Sequence, residues 1–223
     1  PRVAQAIAEH QPVVALESSV FAQGLPIPAN ADAARRMIGA IERVGAVPAI
    51  SAVSAGKAVF GLSDDELARF LARDGVMKVS ARDIAIAMLQ GRDGATTVAG
   101  ALSLMALSPI RVFATGGIGG VHREPQFDES ADLAELSRTP VIVVCAGAKS
   151  ILDLPRTVER LETHGVPIYG YRCDEFPAFW RRSSGLKLDR RFDELGALAD
   201  AIREHHALGT GTGVIVANPV PEA

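Results

Sequence analysis

Three observations predict an α/β fold with three layers, α/β/α, around a mostly parallel central sheet. Short β-branched apolar runs alternate with helical patterns along the chain, which is the ordering that βαβ units produce. Most of these runs are continuously apolar rather than alternating, as befits strands covered on both faces. No linker, internal repeat or low-complexity segment interrupts the 223 residues, so a single domain over 1–223 is the simplest organisation.

Taken in order, the expected strands are Pro12–Leu16, Val47–Val53, Ile110–Ala114, Pro140–Cys145, Pro167–Tyr171 and Gly213–Ala217. Between the first two, Ala33, Met37, Ile41 and Val44 recur at helical spacing and predict an amphipathic helix over Ala31–Val44. Ser63-Asp64-Asp65-Glu66 has the form of a capping box and opens a second helix running towards Asp74. Further helices are expected at Ala81–Gln90, Thr97–Leu107, Ser130–Ser137, Pro155–His164 and Phe192–His206.

Composition narrows the function. With 48% hydrophobic and 22% charged residues the chain can bury an ordinary core, roughly 70% of its unfolded surface at this size. The longest apolar stretch, Pro140–Ala148, is too short to span a bilayer. A net charge of −3 argues against nucleic-acid or anionic-membrane partners. No basic-then-apolar-then-small pattern opens the chain. Two cysteines, Cys145 and Cys173, are expected as free packing thiols, so a reducing cytoplasm is the expected location. The 23 basic residues comprise 4 lysines (Lys57, Lys78, Lys149, Lys187) and hence 19 arginines.

In parallel sheets ligands collect beyond the carboxyl ends of the strands. The runs there are Glu17-Ser18-Ser19, Thr115-Gly116-Gly117-Ile118-Gly119-Gly120-Val121-His122-Arg123 and Ala146-Gly147-Ala148-Lys149-Ser150, all small, polar or glycine-rich. Lys149 ends an apolar strand inside a Gly/Ala turn. Partial desolvation there would lower its pKa and free a nucleophilic amine; a phosphate-binding or merely snorkelling lysine is the alternative. In a chain that favours Arg, which cannot deprotonate, a lysine kept at such a turn favours amine chemistry. Glu17 directly follows a buried strand and suits general acid/base work on the same rim as Lys149, with an arginine ion pair as the alternative.

Lys78 with Ser80, at a strand–helix junction, suits a phosphate or is a surface lysine before an N-cap. Gly94-Ala95-Thr96-Thr97-Val98 opens a helix, offering backbone N–H groups to an anion or simply a threonine cap. Gly116–Gly120 lacks the Lys-Ser/Thr of a P-loop and the Rossmann spacing, and is expected to bring backbone close to a small ligand. Thr115 precedes it, and His122, at its end, contacts ligand or makes a structural hydrogen bond. Asp128, Glu129 and Asp132 crowd a helix start, where acidic residues are favoured electrostatically; the functional alternative is a hard divalent cation held by one carboxylate, waters and substrate. Without a His/Cys cluster, zinc is not expected.

Several runs together resemble one family, pseudouridine-5′-phosphate glycosidase with its indigoidine-synthase-A-like members. They are Ala15–Val20, Lys78–Asp83, Gly94–Ala99, Val112–Arg123, Ser130–Leu133, Cys145–Leu154, Leu161–Pro167 and Ala217–Pro221. They stand in the family's order and cover nearly the whole chain.

The resemblance implies reversible cleavage of the C–C glycosidic bond of pseudouridine 5′-phosphate to uracil and ribose 5-phosphate. In that family the lysine matching Lys149 forms an imine with C1′ of the opened sugar, and the glutamate matching Glu17 donates a proton. Lys78, the backbone at Val98 and the segment Ser130-Ala131-Asp132 match substrate contacts. Asp128 matches the ligand of a divalent metal, usually Mn2+. A homotrimer is implied as well. The chemistry is coherent: a carbon-linked base has no leaving-group oxygen for the paired carboxylates of ordinary glycosidases to protonate, whereas an amine on an opened sugar gives the bonding electrons somewhere to go. Non-catalytic sugar-phosphate binding, or a Schiff-base aldolase-like lyase on another phosphorylated sugar, are the competing readings. The chain departs from the family pattern at Ser19 (usually Thr), Gln23 (usually His), Glu124 (usually Gly) and Glu129 (usually apolar). Family members also continue past the motif ending near Pro221, into a segment whose asparagine contacts uracil, so the resemblance implies a chain short of that segment.

Overall fold

A computed structural model of the chain describes residues 2–221, which fall into two compact units divided between Val112 and Phe113. In the first unit, α1 (Arg2–Ala8), β1 (Val13–Leu16), α2 (Ala29–Arg43), β2 (Val47–Ser54), β3 (Lys57–Phe60), α3 (Asp64–Ala72), β4 (Met77–Val79), α4 (Ile84–Leu89), β5 (Gly94–Thr96) and α5 (Val98–Met105) follow one another. The strands lie in the order β4-β5-β2-β1, with β3 also on β2. β1 runs parallel to β2, and β4 to β5, while β5 and β3 are antiparallel to β2. β2 is buried at seven of its eight positions. A strand buried at successive residues must be covered on both faces, and α1, α2, α4 and α5 all pack against it.

The second unit begins within β6 (Val112–Ala114) and continues through α6 (Ala131–Leu136), β7 (Ile142–Cys145), α7 (Leu154–Thr163), β8 (Ile168–Tyr171), β9 (Arg191–Phe192), α8 (Leu195–Ala207) and β10 (Val214–Ala217). Its strand order is β6-β7-β10-β8-β9, with β7, β10, β8 and β9 parallel. One face of this sheet packs Val214 and Val216 with Leu198 and Ile202 of α8. The other face carries Val143, Ile215 and Ala217, all fully buried. The expected α/β class with a mostly parallel sheet is therefore present.

Caps fix where the helices start. Ser63 and Glu66 form the reciprocal capping box at α3, Thr97 caps α5 through Gly100 N–H, Ser130 caps α6 through Asp132 N–H, and Asp153 caps α7 through Arg156 N–H. Two expectations need correction, and one element is new. Gly94–Thr96 is a strand, not a helix opening, because its backbone pairs with β2 and β4; the helix starts only after the Thr97 cap. α8 starts at Leu195 rather than Phe192, since Arg191 and Phe192 are spent pairing with Gly170 and Tyr171. A π-helical turn at Val20–Gly24 was not foreseen.

Candidate active site

In the first unit a buried hydroxyl network ties the carboxyl ends of β1 and β5 to the middle of β2. Ser18 Oγ donates to the Ser51 carbonyl at 2.7 Å and accepts from Thr96 N–H at 2.8 Å. Ser51 Oγ donates to the Leu16 carbonyl at 2.9 Å, and Thr96 Oγ1 donates to the Ser51 carbonyl at 2.8 Å. All three side chains are fully buried. This network holds the turn on which Glu17 is presented, half-buried, with Oε2 accepting from Ser19 Oγ at 2.6 Å. Ser19 thus supplies Glu17 with a hydroxyl donor. Lys78 is exposed on β4. Next to it, the Val79 carbonyl accepts Thr97 N–H at 2.9 Å, which places the strand of Lys78 against the start of α5 at buried Val98. Glu17, Lys78 and Val98 are therefore carried by three directly connected pieces of backbone.

In the second unit the glycine run after β6 is laced between two other segments. On one side Ile118 pairs with Ala148; Ile118 N–H donates to the Gly147 carbonyl at 3.0 Å and Lys149 N–H to the Ile118 carbonyl at 3.2 Å. On the other side Gly119 N–H donates to Asp132 Oδ2 at 2.7 Å and Ser130 N–H to the Gly120 carbonyl at 2.9 Å. Only glycine fits here: a methyl group on Gly119 would overlap the Ser130 side chain, and one on Gly120 the Thr157 side chain. Thr157 Oγ1 in turn accepts Val121 N–H at 3.0 Å. Thr115 is buried at the start of this loop, where its N–H donates to the Val144 carbonyl. Thr115, Ser130, Ala131, Asp132 and Lys149 are brought into one constellation.

The three acidic residues near the α6 start diverge. Asp132 is buried and turned to Gly119 N–H. Glu129 pairs with Arg160 at 2.9 Å, which gives this departure from the family pattern a partner of its own. Asp128 keeps an exposed carboxylate, 3.5 Å from His122 Nδ1, while His122 N–H donates to the Asp128 carbonyl at 2.8 Å. Among the described residues no group of three His, Cys, Asp or Glu could hold a metal. One open carboxylate fits a hard cation that keeps most of its waters, not a caged metal such as zinc.

Lys149 corrects one expectation: its side chain is exposed, so this chain's own packing does not supply the desolvation foreseen for it. Cys145 is buried, and burial pushes its thiol up to about 12, which removes it as a nucleophile at neutral pH. Burial also raises Cys173, whose Sγ donates to the Ala217 carbonyl at 3.3 Å.

Sequence reasoning missed one feature in each unit. The Ser51–Thr96 network carries no motif, because hydroxyls inside apolar runs read as ordinary strand residues. The segment Phe176–Trp180 folds against the Lys149 turn through a Gly147–Ala178 bridge. Its signal was available in the aromatic run Phe176-Pro177-Ala178-Phe179-Trp180, which holds the chain's single tryptophan.

Comparison with known proteins places these features in context. The family described as indigoidine synthase A like protein matches residues 2–223. A pseudouridine-5′-phosphate glycosidase from Gemmatimonas aurantiaca is 60% identical over 98% of this chain and 72% of its own length. Pseudouridine-5′-phosphate glycosidase 2 from Rhizobium johnstonii is 50% identical over 99% of this chain and 72% of its own. Among solved structures, the prealnumycin C-glycosynthase AlnA in complex with ribulose 5-phosphate superimposes with a TM-score of 0.91 at 42% identity, covering 99% of this chain and 72% of that one. An indigoidine synthase A-like protein from Thermotoga maritima gives a TM-score of 0.89 at 37% identity, covering 95% and 72%.

Proposed function

The chain belongs to the indigoidine synthase A-like family, and on that premise we propose that it is a pseudouridine-5′-phosphate glycosidase, an enzyme that reversibly converts pseudouridine 5′-phosphate and water to uracil and ribose 5-phosphate. The observation that carries this reading is the near-full-length identity to proteins of that name, 60% in one case. The AlnA complex supports the substrate class, since a C-glycosynthase of the same fold holds a five-carbon sugar phosphate.

The residues have distinct roles in this reading. Glu17 delivers a proton to the ring oxygen as the C1′–O4′ bond opens, and Lys149 Nζ bonds to C1′. The nitrogen lone pair then forms C1′=Nζ while the C1′–C5 electrons pass to uracil, which takes up a proton at C5. Water adds to the imine, releasing ribose 5-phosphate and restoring the amine. Lys78, the Val98 backbone, Thr115 and the Ser130-Ala131-Asp132 segment hold the substrate, and His122 orients Asp128 beside it. When bound, a divalent cation, Mn2+ in this proposal, supplies positive charge to a phosphorylated substrate, and Asp128 is the residue that would hold it. The same proposal includes action as one catalytic domain, a homotrimer in solution and a cytoplasmic location. For the location, the two free cysteines give support; no helix among the described residues is long and apolar enough to cross a membrane.

Borohydride reduction in the presence of ribose 5-phosphate, followed by peptide mapping, tests the covalent step. The expected result is an adduct on Lys149 that is lost in Lys149→Met. An unlabelled Lys149 in the native enzyme would overturn the imine assignment.

A further inference from the structure

We infer that Phe179 is a positioning residue for Lys149, the keystone of a strap, residues 176–180, that sets the turn from which the amine projects. The inference rests on the imine-forming role proposed for Lys149.

Among the described residues, no hydrogen bond or ion pair holds the Lys149 side chain. What the fold controls is therefore the point and the Cα–Cβ direction from which the side chain starts, and the backbone there is clamped on two sides. One clamp is the Ile118 pairing already described. The other is the strap. Phe179 N–H donates to the Ala146 carbonyl at 2.9 Å, and Ala178 bridges to Gly147. The approach at Gly147 is so close that a methyl group there would overlap the Pro177 carbonyl oxygen. Gly147 also sits at φ +77°, in the left-handed region that favours glycine.

The Phe179 ring closes the arrangement from above. It lies on Gly116 and Gly117, where a methyl group would sit 3.2 Å from its Cε2 atom or overlap the ring. Ala146 N–H donates to the Gly116 carbonyl at 3.2 Å, so Phe179 bears on both strand-end loops where they pair, with its ring on one and its backbone N–H on the other. Phe179 does this at φ +62°, a conformation uncommon outside glycine, asparagine and aspartate and one that a bulky residue adopts only when its surroundings enforce it. The enforcement is visible. Phe176 is fully buried, its N–H donates to the Leu186 carbonyl at 2.8 Å and its carbonyl accepts from Ser184 Oγ at 2.6 Å. Ala178 N–H donates to the Arg181 carbonyl at 2.9 Å, closing the tight turn over Phe179 and Trp180. A locally unfavourable backbone held from both ends, at the turn of a reactive lysine, points to positioning rather than to packing alone.

The test compares Phe179→Gly, which suits the left-handed backbone and removes the ring, with Phe179→Tyr, which keeps it. The readouts are thermal midpoint and the first-order rate of borohydride-trapped adduct on Lys149 at saturating ribose 5-phosphate. Phe179→Gly relieves the left-handed backbone but loses the packing of a half-buried ring, so it is expected to melt about 4–10 °C below the native protein while staying folded at the assay temperature, and to trap about 30- to 100-fold more slowly, the scale on which small displacements act on reacting groups. Phe179→Tyr is expected to trap within about threefold of the native rate. A native rate in Phe179→Gly, or no recovery in Phe179→Tyr, would overturn the inference. If Phe179→Gly does not fold, Phe179→Asn, which also tolerates the left-handed region, removes the ring while keeping a side chain; it should slow trapping comparably, and a native rate there refutes the strap. Absence of any adduct in the native enzyme is a different result: it removes the imine reading itself, and the strap's role with it.

Discussion

Ser18→Ala isolates the buried network beneath Glu17. Ser18 Oγ is the acceptor for Thr96 N–H at 2.8 Å, and both residues are fully buried. Removing the hydroxyl strands that N–H. The Ser51 carbonyl, which also loses a donor, keeps the Thr96 hydroxyl at 2.8 Å. The cost is therefore that of one unsatisfied buried donor, about 1–3 kcal/mol, rather than the smaller net value of an average hydrogen bond. For a chain of this size each kcal/mol corresponds to about 2–4 °C, so a loss of about 2 kcal/mol lowers the melting midpoint by about 4–8 °C. Urea unfolding followed by far-ultraviolet circular dichroism measures it. Ser19→Ala is the control, because Ser19 Oγ only donates to half-buried Glu17 and its removal orphans no backbone group. If Ser18→Ala falls within about 0.5 kcal/mol of the native protein, or costs no more than Ser19→Ala, the network is not holding the turn and this account of Glu17 placement fails.

Asp93 gives an acid-side signature. The Arg69 guanidinium, donating at 3.0 Å, holds its carboxyl below the ordinary value, with Ala55 N–H assisting at 2.7 Å. A depressed folded-state pKa contributes stability above the unfolded value of 3.8 and loses it as pH falls through the folded value. The urea midpoint of the native protein should thus drop more between about pH 5 and pH 2 than that of Asp93→Asn, and equal slopes would refute the pairing. On the alkaline side, Cys145, pushed up to about 12 by burial, should resist thiol reagents at pH 8 until the chain unfolds, with half-buried Cys173 reacting first; rapid native labelling of Cys145 would contradict its burial. Dialysis against a chelator should abolish uracil release and Mn2+ should restore it, whereas unchanged activity would leave Asp128 only its contacts with His122.

Legibility followed burial. The runs that became β2, β7 and β10 were readable because strands covered on both faces must be continuously apolar, and the α3 start was readable because a capping box is a four-residue signal. β3 was not, since Lys57-Ala58-Val59-Phe60 is short and half-exposed, held by pairing with β2 and by Val59 packing on the Phe70 cluster. β5 was misread because Gly94 looks like a breaker. Its glycine instead answers a packing demand, a methyl there lying 2.6 Å from Val79 Cγ2. The candidate residues at strand ends were legible from the loops' small-residue composition. What holds those loops was not. The Phe179 strap joins Lys149 across about thirty residues of sequence, and the Ser18–Thr96 contact spans 78, separations at which neighbouring residue types carry no signal. The desolvation expected of Lys149 failed for a related reason: burial continues past β7 through Gly147 and Ala148, which are pinned by the neighbouring loops, and ends at Lys149 itself.

The central claim is that this chain breaks a carbon–carbon glycosidic bond. Incubating it with pseudouridine 5′-phosphate and quantifying products by chromatography tests that claim directly. Uracil and ribose 5-phosphate should appear in equal amounts, with release abolished in Lys149→Met and in Glu17→Gln, the latter binding substrate within about tenfold of the native affinity. A folded chain that binds the substrate but releases no uracil, or a Lys149→Met variant that releases it at the native rate, would contradict the account.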